Sequence, residues 1–87
     1  MPTILIIDDD VELTDLLKEF LSKHNYSILV HHNPIDGLET LNNKSIDLVL
    51  LDIMMPEMDG LNFLRSVREH SEIPIMMLTA KGDVADK

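Results

Sequence analysis

The sequence lacks cysteine, and this absence excludes disulfide bonds and thiolate metal sites. Aromatic residues are also scarce, with two phenylalanines, one tyrosine and no tryptophan. So few rings argue against a stacking platform for single-stranded nucleic acid. No apolar run approaches the roughly 18 residues of a membrane span, and the chain does not open on a signal-peptide pattern. We therefore expect a soluble, cytoplasmic protein that does not contact a membrane.

Basic residues are few as well, since 7 lysines and arginines stand against 16 acidic residues and give a formal net charge of −9. Such a charge repels phosphate backbones, so we expect no direct binding of DNA or RNA. An acidic surface suits basic partners or divalent cations instead. The chain has 87 residues, of which 45% are hydrophobic, and this predicts one small globular domain spanning residues 1–87.

Strands and helices are predicted to alternate along the chain. Short segments typical of strands occupy residues 4–7, 27–31, 48–51 and 75–78. Three segments with helical spacing lie between them, and the second is expected to begin at Asn33 and Pro34 and to end before a loop at residues 42–45. This order implies a parallel sheet with right-handed crossovers and helices on both faces, which is an α/β fold.

Apolar residues at helical spacing predict which side of each helix packs on the sheet. The first helix, which either Asp9 or Asp10 can cap and which Asn25 can end, is expected to bury one stripe. The residues of that stripe are Leu13, Leu16, Leu17, Phe20 and Leu21. The inward residues of the second and third helices are Ile35, Leu38, Leu41, Leu61, Leu64 and Val67, with Phe63 beside them.

Polar residues follow three of the predicted strands. Asp8, Asp9 and Asp10 come after the first strand, Asp52 after the third and Thr79 after the fourth. In an open parallel sheet, ligands bind beyond the carboxyl ends of the strands, so these side chains should converge there. Carboxylates brought together repel one another and should titrate as a coupled set with raised apparent pKa values.

A divalent cation would relieve this repulsion, and a donor set of oxygen atoms alone favours Mg²⁺ over Zn²⁺. One carboxylate could then attack phosphorus and form an acyl phosphate, while the Thr79 hydroxyl could hydrogen-bond the bound phosphoryl group. A simpler interpretation remains open, because an aspartate after a strand is most often a helix cap or a turn residue. We accept that interpretation for Asp10. The four histidines are expected at the surface and not at a metal.

Three motifs resemble response-regulator receiver domains of two-component signalling, most closely those of winged-helix transcriptional regulators. They are Ile4-Leu-Ile-Ile-Asp-Asp-Asp10, Leu50-Leu-Asp-Ile-Met-Met-Pro-Glu-Met-Asp-Gly60 and Ile75-Met-Met-Leu-Thr-Ala80. The resemblance implies a flavodoxin-like doubly wound sheet with strand order 2-1-3-4 and three helices. It also implies a signalling module, not a turnover enzyme, that takes a phosphoryl group from a histidine kinase.

The resemblance further assigns roles to individual residues. Asp52 would be the phosphoacceptor, and the Mg²⁺ ligands would be Asp8, Asp9, Asp52 and the backbone carbonyl of Met54. Thr79 would be the switch hydroxyl, and the Ala80 amide would contact the phosphoryl group. A full receiver continues through a fifth strand and two further helices, and neither Lys81 nor Lys87 matches the lysine that closes the family's site. We therefore expect the fourth strand to be an exposed edge through which the chain self-associates.

Two other functions remain open. The Asp8-Asp9-Asp10 run also fits a haloacid-dehalogenase-like phosphatase, with Asp8 as nucleophile, Asp10 as general acid and Thr79 in a second motif. The second alternative is a binding-only fragment that meets a kinase but accepts phosphate poorly because the family's lysine is not found.

Overall fold

The computed structural model describes residues 1–52, 60–69 and 71–78. Within these residues, strands and helices alternate as the sequence predicts. The strands are β1 (Thr3–Ile7), β2 (Ser27–His31), β3 (Leu48–Asp52) and β4 (Ile75–Leu78). The helices are α1 (Val11–Ser22), α2 (Pro34–Asn43) and α3 (Gly60–Arg68). The four strands are parallel in the order β2-β1-β3-β4, which confirms the flavodoxin-like order and places β1 and β3 at the centre.

Alternate residues of the central strands feed two separate cores, as the pleat of a strand requires. On one face, β1 and β3 pack against α2 and α3 through a cluster comprising Leu5, Ile7, Val49, Leu51, Phe63 and Val67. On the other face, α1 packs against a second cluster comprising Ile4, Ile6, Ile28 and Leu50. Burial on both faces explains why β1 and β3 are almost continuous apolar runs.

Helix α1 begins where the sequence predicts but buries only part of the predicted stripe. Asp10 is its N-cap, and Asn25 has a left-handed φ of 69° three residues beyond the end of the helix. Leu17 and Leu21 pack on the sheet, whereas Leu16 and Phe20 are 62% and 58% exposed. The prediction of a single buried stripe is wrong for Leu16 and Phe20 because adjacent helical residues point about 100° apart.

Helix α2 begins at Pro34 with Asn33 as its N-cap, as predicted, and the Asn33 side chain accepts a hydrogen bond from the Asp36 amide at 2.9 Å. The helix continues to Asn43, so the loop expected at residues 42–45 begins later than predicted. Ile35 was expected to face the core but is 77% exposed. It lies in the first turn of α2, whereas the helix packs on the sheet through the later residues Leu38 and Leu41. In the described part of the chain, none of the helices is long and apolar enough to cross a membrane.

Candidate functional site

The register of the two central strands brings distant aspartates together. Ile7 of β1 pairs with Leu51 of β3, so Asp8 and Asp52, the next residue of each chain segment, are neighbours at the carboxyl end of the sheet. Asp8 is also tied to β2, because its amide donates to the His31 carbonyl at 3.1 Å. Both carboxyl groups are buried, with 1% of Asp8 and 2% of Asp52 exposed.

Asp9 completes an acidic cluster with these two residues. Each of Asp8, Asp9 and Asp52 offers one carboxylate oxygen, and the three oxygens lie within 4.8 Å of one another. Asp9 is exposed, so the cluster opens to solvent on its side. The convergence predicted from the strand ends is therefore found for these three residues. Three hard oxygen donors with one open side fit Mg²⁺, which binds through few carboxylates and keeps several waters.

The electrostatics of the cluster are dominated by burial. The pKa of Asp8 is raised from 3.8 to about 6, mainly by desolvation, and the charge of Asp52, a hydrogen bond with the Asp52 side chain and the charge of Asp9 act in the same direction. The hydrogen bond from the Asp10 amide to Asp8 Oδ1, at 2.9 Å, acts in the opposite direction. The raised pKa expected from clustered carboxylates is found for Asp8, where burial is a larger cause than repulsion.

Asp10 has the structural role that the sequence favoured for it. Its Oδ1 accepts a hydrogen bond from the Leu13 amide at 3.1 Å, which caps α1. The backbone amide of Asp10 also donates a hydrogen bond to the Asp8 side chain, which closes the turn after β1. Asp10 thus fixes the conformation of the loop that carries the cluster, and one oxygen of its carboxylate caps the helix.

Met54, Thr79 and Ala80 lie outside the described residues, so their predicted positions beside the cluster stay predictions. The described end of β4 is nevertheless in register with the site, since Leu78, which precedes Thr79, pairs with Asp52.

A buried hydroxyl in the first turn of α1 was not predicted from the sequence. Thr14 is fully buried in α1, and its Oγ1 lies 3.0 Å from the Val11 carbonyl and 3.1 Å from Nε2 of His32. The signal was present in the sequence, because Thr14 shares helical spacing with Leu17 and Leu21, which face the sheet. A polar residue in that row indicates a buried hydrogen-bonding partner.

Comparisons with known proteins agree with this architecture. Residues 4–87 match the family model described as the response regulator receiver domain. The chain is 44% identical over 87 residues to the transcriptional regulatory protein CpxR of Escherichia coli (strain K12), covering all of this chain and 37% of that protein. It is 38% identical over 84 residues to the regulatory protein VanR of Enterococcus faecium, covering 97% of this chain and 36% of VanR.

Solved structures show the same fold. The response regulator TrrA of Thermotoga maritima, in complex with Mg²⁺-BeF, superposes with a TM-score of 0.85 at 34% identity, over 97% of this chain and 77% of TrrA. TrrA in its complex with the histidine kinase ThkA gives a TM-score of 0.88 at 33% identity, over 100% of this chain and 76% of TrrA.

The four-stranded parallel sheet places this chain among α/β proteins of flavodoxin-like fold, and a cluster of carboxylates lies at the carboxyl end of the sheet. Within that class, the chain belongs to the response regulator receiver domain family. It spans slightly more than a third of the length of the curated relatives that it matches. The family match favours a two-component signalling domain over the dehalogenase-like phosphatase that the Asp8-Asp9-Asp10 run also fitted.

Proposed function

We propose that this domain accepts a phosphoryl group on Asp52 in the presence of Mg²⁺ and thereby acts as the phosphoacceptor of a two-component pathway. The observation that carries the proposal is the convergence of Asp8, Asp9 and Asp52 within 4.8 Å at the ends of adjacent parallel strands. The site requires residues from two distant segments of sequence and forms only in this fold. The relative TrrA, which shares the fold, is known in complex with Mg²⁺-BeF.

Asp8, Asp9 and Asp52 would hold the cation, together with the backbone carbonyl of Met54. The fit rests on the donor set, which consists of hard oxygens, and on the raised pKa of Asp8, because a cation compensates the charge that burial disfavours. When bound, Mg²⁺ neutralises the carboxylates and the phosphoryl oxygens that would otherwise repel them.

The chain's own contribution is a positioned nucleophile. A carboxylate oxygen of Asp52 attacks the phosphorus atom of a phosphohistidine, an oxygen–phosphorus bond forms, and the phosphorus–nitrogen bond breaks with its electron pair passing to the imidazole. We assign the Thr79 hydroxyl and the Ala80 amide to binding the transferred phosphoryl group, on the strength of the family motif.

We propose a histidine kinase as the donor and the outer face of α1 as its docking surface. Leu16 and Phe20 lie one turn apart on that face and are both more than half exposed, with the Phe20 ring 4.7 Å from the His24 ring. Paired exposed apolar side chains on one helix suit an apolar contact with a helical partner. Regulation of transcription, as the names of CpxR and VanR indicate for those proteins, would belong to a longer protein that contains this domain.

The test is phosphorylation by acetyl phosphate with and without Mg²⁺, followed by intact mass and by mapping of the modified residue. We expect one Mg²⁺-dependent phosphoryl adduct on Asp52, absent in Asp52→Asn and retained in Asp15→Asn, which removes an equal charge from an exposed site on α1.

Two outcomes would contradict the proposal. An adduct on Asp8, with turnover of a phosphate ester, would support the phosphatase alternative. A chain that binds a histidine kinase but takes no adduct from acetyl phosphate would support the binding-only alternative.

A further inference from the structure

Two histidine–threonine hydrogen bonds tie the edge strand β2 to the helices beside it. His32, the residue after β2, places its Nε2 3.1 Å from Thr14 Oγ1 of α1. His31, the last residue of β2, places its Nε2 2.7 Å from Thr40 Oγ1 of α2. The two pairs have the same chemistry and adjacent positions, but they hold different helices.

The direction of the Thr14 bond follows from proton counting. The Thr14 hydroxyl has one proton, and it donates that proton to the Val11 carbonyl at 3.0 Å. Thr14 Oγ1 therefore accepts from His32, whose Nε2 carries the proton. Because Thr14 is fully buried, loss of the His32 donor would leave its oxygen with an unfilled acceptor site away from water.

This bond completes a closed ring of backbone and hydrogen bonds that includes the loop carrying Asp9. From Asp8, the ring runs through the Asp10 turn into α1, crosses from Thr14 to His32, and returns from the His31 carbonyl to the Asp8 amide. Asp9 lies within the ring and is exposed. Within the described residues, no hydrogen bond to the Asp9 carboxylate is found, so its position depends on the backbone of this loop.

We propose that Thr14 and His32 are positioning residues that set the place of Asp9 relative to Asp8 and Asp52 by fixing the first turn of α1 to the end of β2. The inference rests on the proposed function, since it concerns the affinity of the acidic cluster for Mg²⁺. Residues that orient ligands from outside a metal site commonly change affinity by about 10-fold or more when they are replaced.

The test compares Thr14→Val with Thr40→Val, which breaks the matching bond to α2 and leaves the loop ring intact. Mg²⁺ dissociation constants come from amide shifts in NMR titrations, and urea unfolding without metal gives the stability of each variant. We expect Thr14→Val to weaken Mg²⁺ binding about 10-fold. Thr40→Val should lower stability to a similar extent but leave the Mg²⁺ dissociation constant unchanged. Thr14→Ser, which keeps the hydroxyl, should bind Mg²⁺ as the wild type does.

His32→Leu supplies a second variant at an exposed position, in case Thr14→Val does not fold. It should weaken Mg²⁺ binding as Thr14→Val does and should speed hydrogen exchange of the Leu13 amide, which bonds to the Asp10 cap. Equal effects of the Thr14 and Thr40 variants on the Mg²⁺ constant, or no effect of either, would overturn the inference alone. Failure of the wild-type protein to bind Mg²⁺ would overturn the proposed function and the inference with it.

Discussion

Asp8 lies at the end of β1 with 1% of its surface exposed, where a negative charge is poorly solvated. Its pKa of about 6 lies above the ordinary value of 3.8 that applies to the unfolded chain. Between these two values, the folded protein holds a proton that the unfolded chain releases. The stabilisation from this proton is complete below pH 3.8 and is lost as the pH rises through about 6.

Metal-free protein should therefore gain stability on acidification from about pH 7 to pH 5, and Asp8→Asn should remove this gain. The pKa shift corresponds to at most about 3 kcal/mol of unfolding free energy. Asp8→Asn should therefore be more stable than wild type at neutral pH by up to this amount. Urea unfolding at several pH values gives the free energy of unfolding of wild type and Asp8→Asn. The difference between the two, plotted against pH, isolates the contribution of Asp8 from that of other carboxylates.

Saturating Mg²⁺ should reverse the trend, because the cation binds the ionised carboxylates and stabilises the folded state. A difference between wild type and Asp8→Asn that does not change with pH would contradict the raised pKa.

At the scale of elements, Gly37 is a point of close approach between α2 and β1. A Cβ atom at this position would lie 2.4 Å from Cδ1 and 2.8 Å from Cγ1 of Ile7, which is fully buried and precedes Asp8. A contact this close forces Ile7 or the helix to shift. The glycine is therefore required by packing, although glycine within a helix costs about 1 kcal/mol relative to alanine.

Gly37→Ala should destabilise the protein by about 1–3 kcal/mol in spite of its better helix propensity. Ile7→Val removes the Cδ1 atom that the new methyl group would meet, so the double variant should be more stable than the sum of the single effects predicts. Urea unfolding of the four proteins, followed by circular dichroism, gives this coupling. Additive effects would show that α2 moves instead of clashing with Ile7.

The outer face of α1 is the other feature that belongs to this scale. We expect Phe20→Glu and Leu16→Glu to slow phosphotransfer by roughly 10-fold or more when the donor is a histidine kinase that phosphorylates the wild type. The reason is that replacing a contact residue at the centre of an interface lowers the binding free energy by about 2 kcal/mol. Phosphorylation by acetyl phosphate should not change. Ile35→Glu, which alters an apolar residue on α2 that is 77% exposed, is the control.

An equal loss with kinase and with acetyl phosphate would show that the α1 variants damage the site. An unchanged rate with the kinase would place the docking surface elsewhere.

At the scale of the whole molecule, the sheet is covered unevenly. β4 pairs with β3 on one side, and in the described part of the chain no strand pairs with its other side. Met76 is 55% exposed and Met77 37% exposed. Self-association through this strand stays a prediction, based on the tendency of apolar sheet edges to pair.

The 87-residue polypeptide should therefore form concentration-dependent oligomers in light scattering, and Met76→Lys should shift it to monomer because a charged edge residue opposes strand pairing. Phe20→Lys, which adds the same charge on α1, should leave the oligomers in place. A wild-type polypeptide that stays monomeric across the concentration range would refute the prediction.

The sequence by itself determined the order of elements, the start of α2 at Asn33, the start of α1 to within one residue, and the arrival of Asp8, Asp9 and Asp52 at one end of a parallel sheet. These features follow from local patterns, because apolar runs, caps and strand ends are encoded within a few residues. The later end of α2 and the exposure of Ile35 were less accessible, since helix ends and first turns depend on what the helix packs against.

Only the tertiary structure decided which side of α1 is buried and which groups surround the site. The stripe from Leu13 to Leu21 is compatible with several rotations of the helix, and packing on the sheet selected the one that buries Thr14 and exposes Phe20. The raised pKa of Asp8 and the bond between Thr14 and His32 were decided in the same way, because burial and contacts between distant segments exist only once the chain has folded.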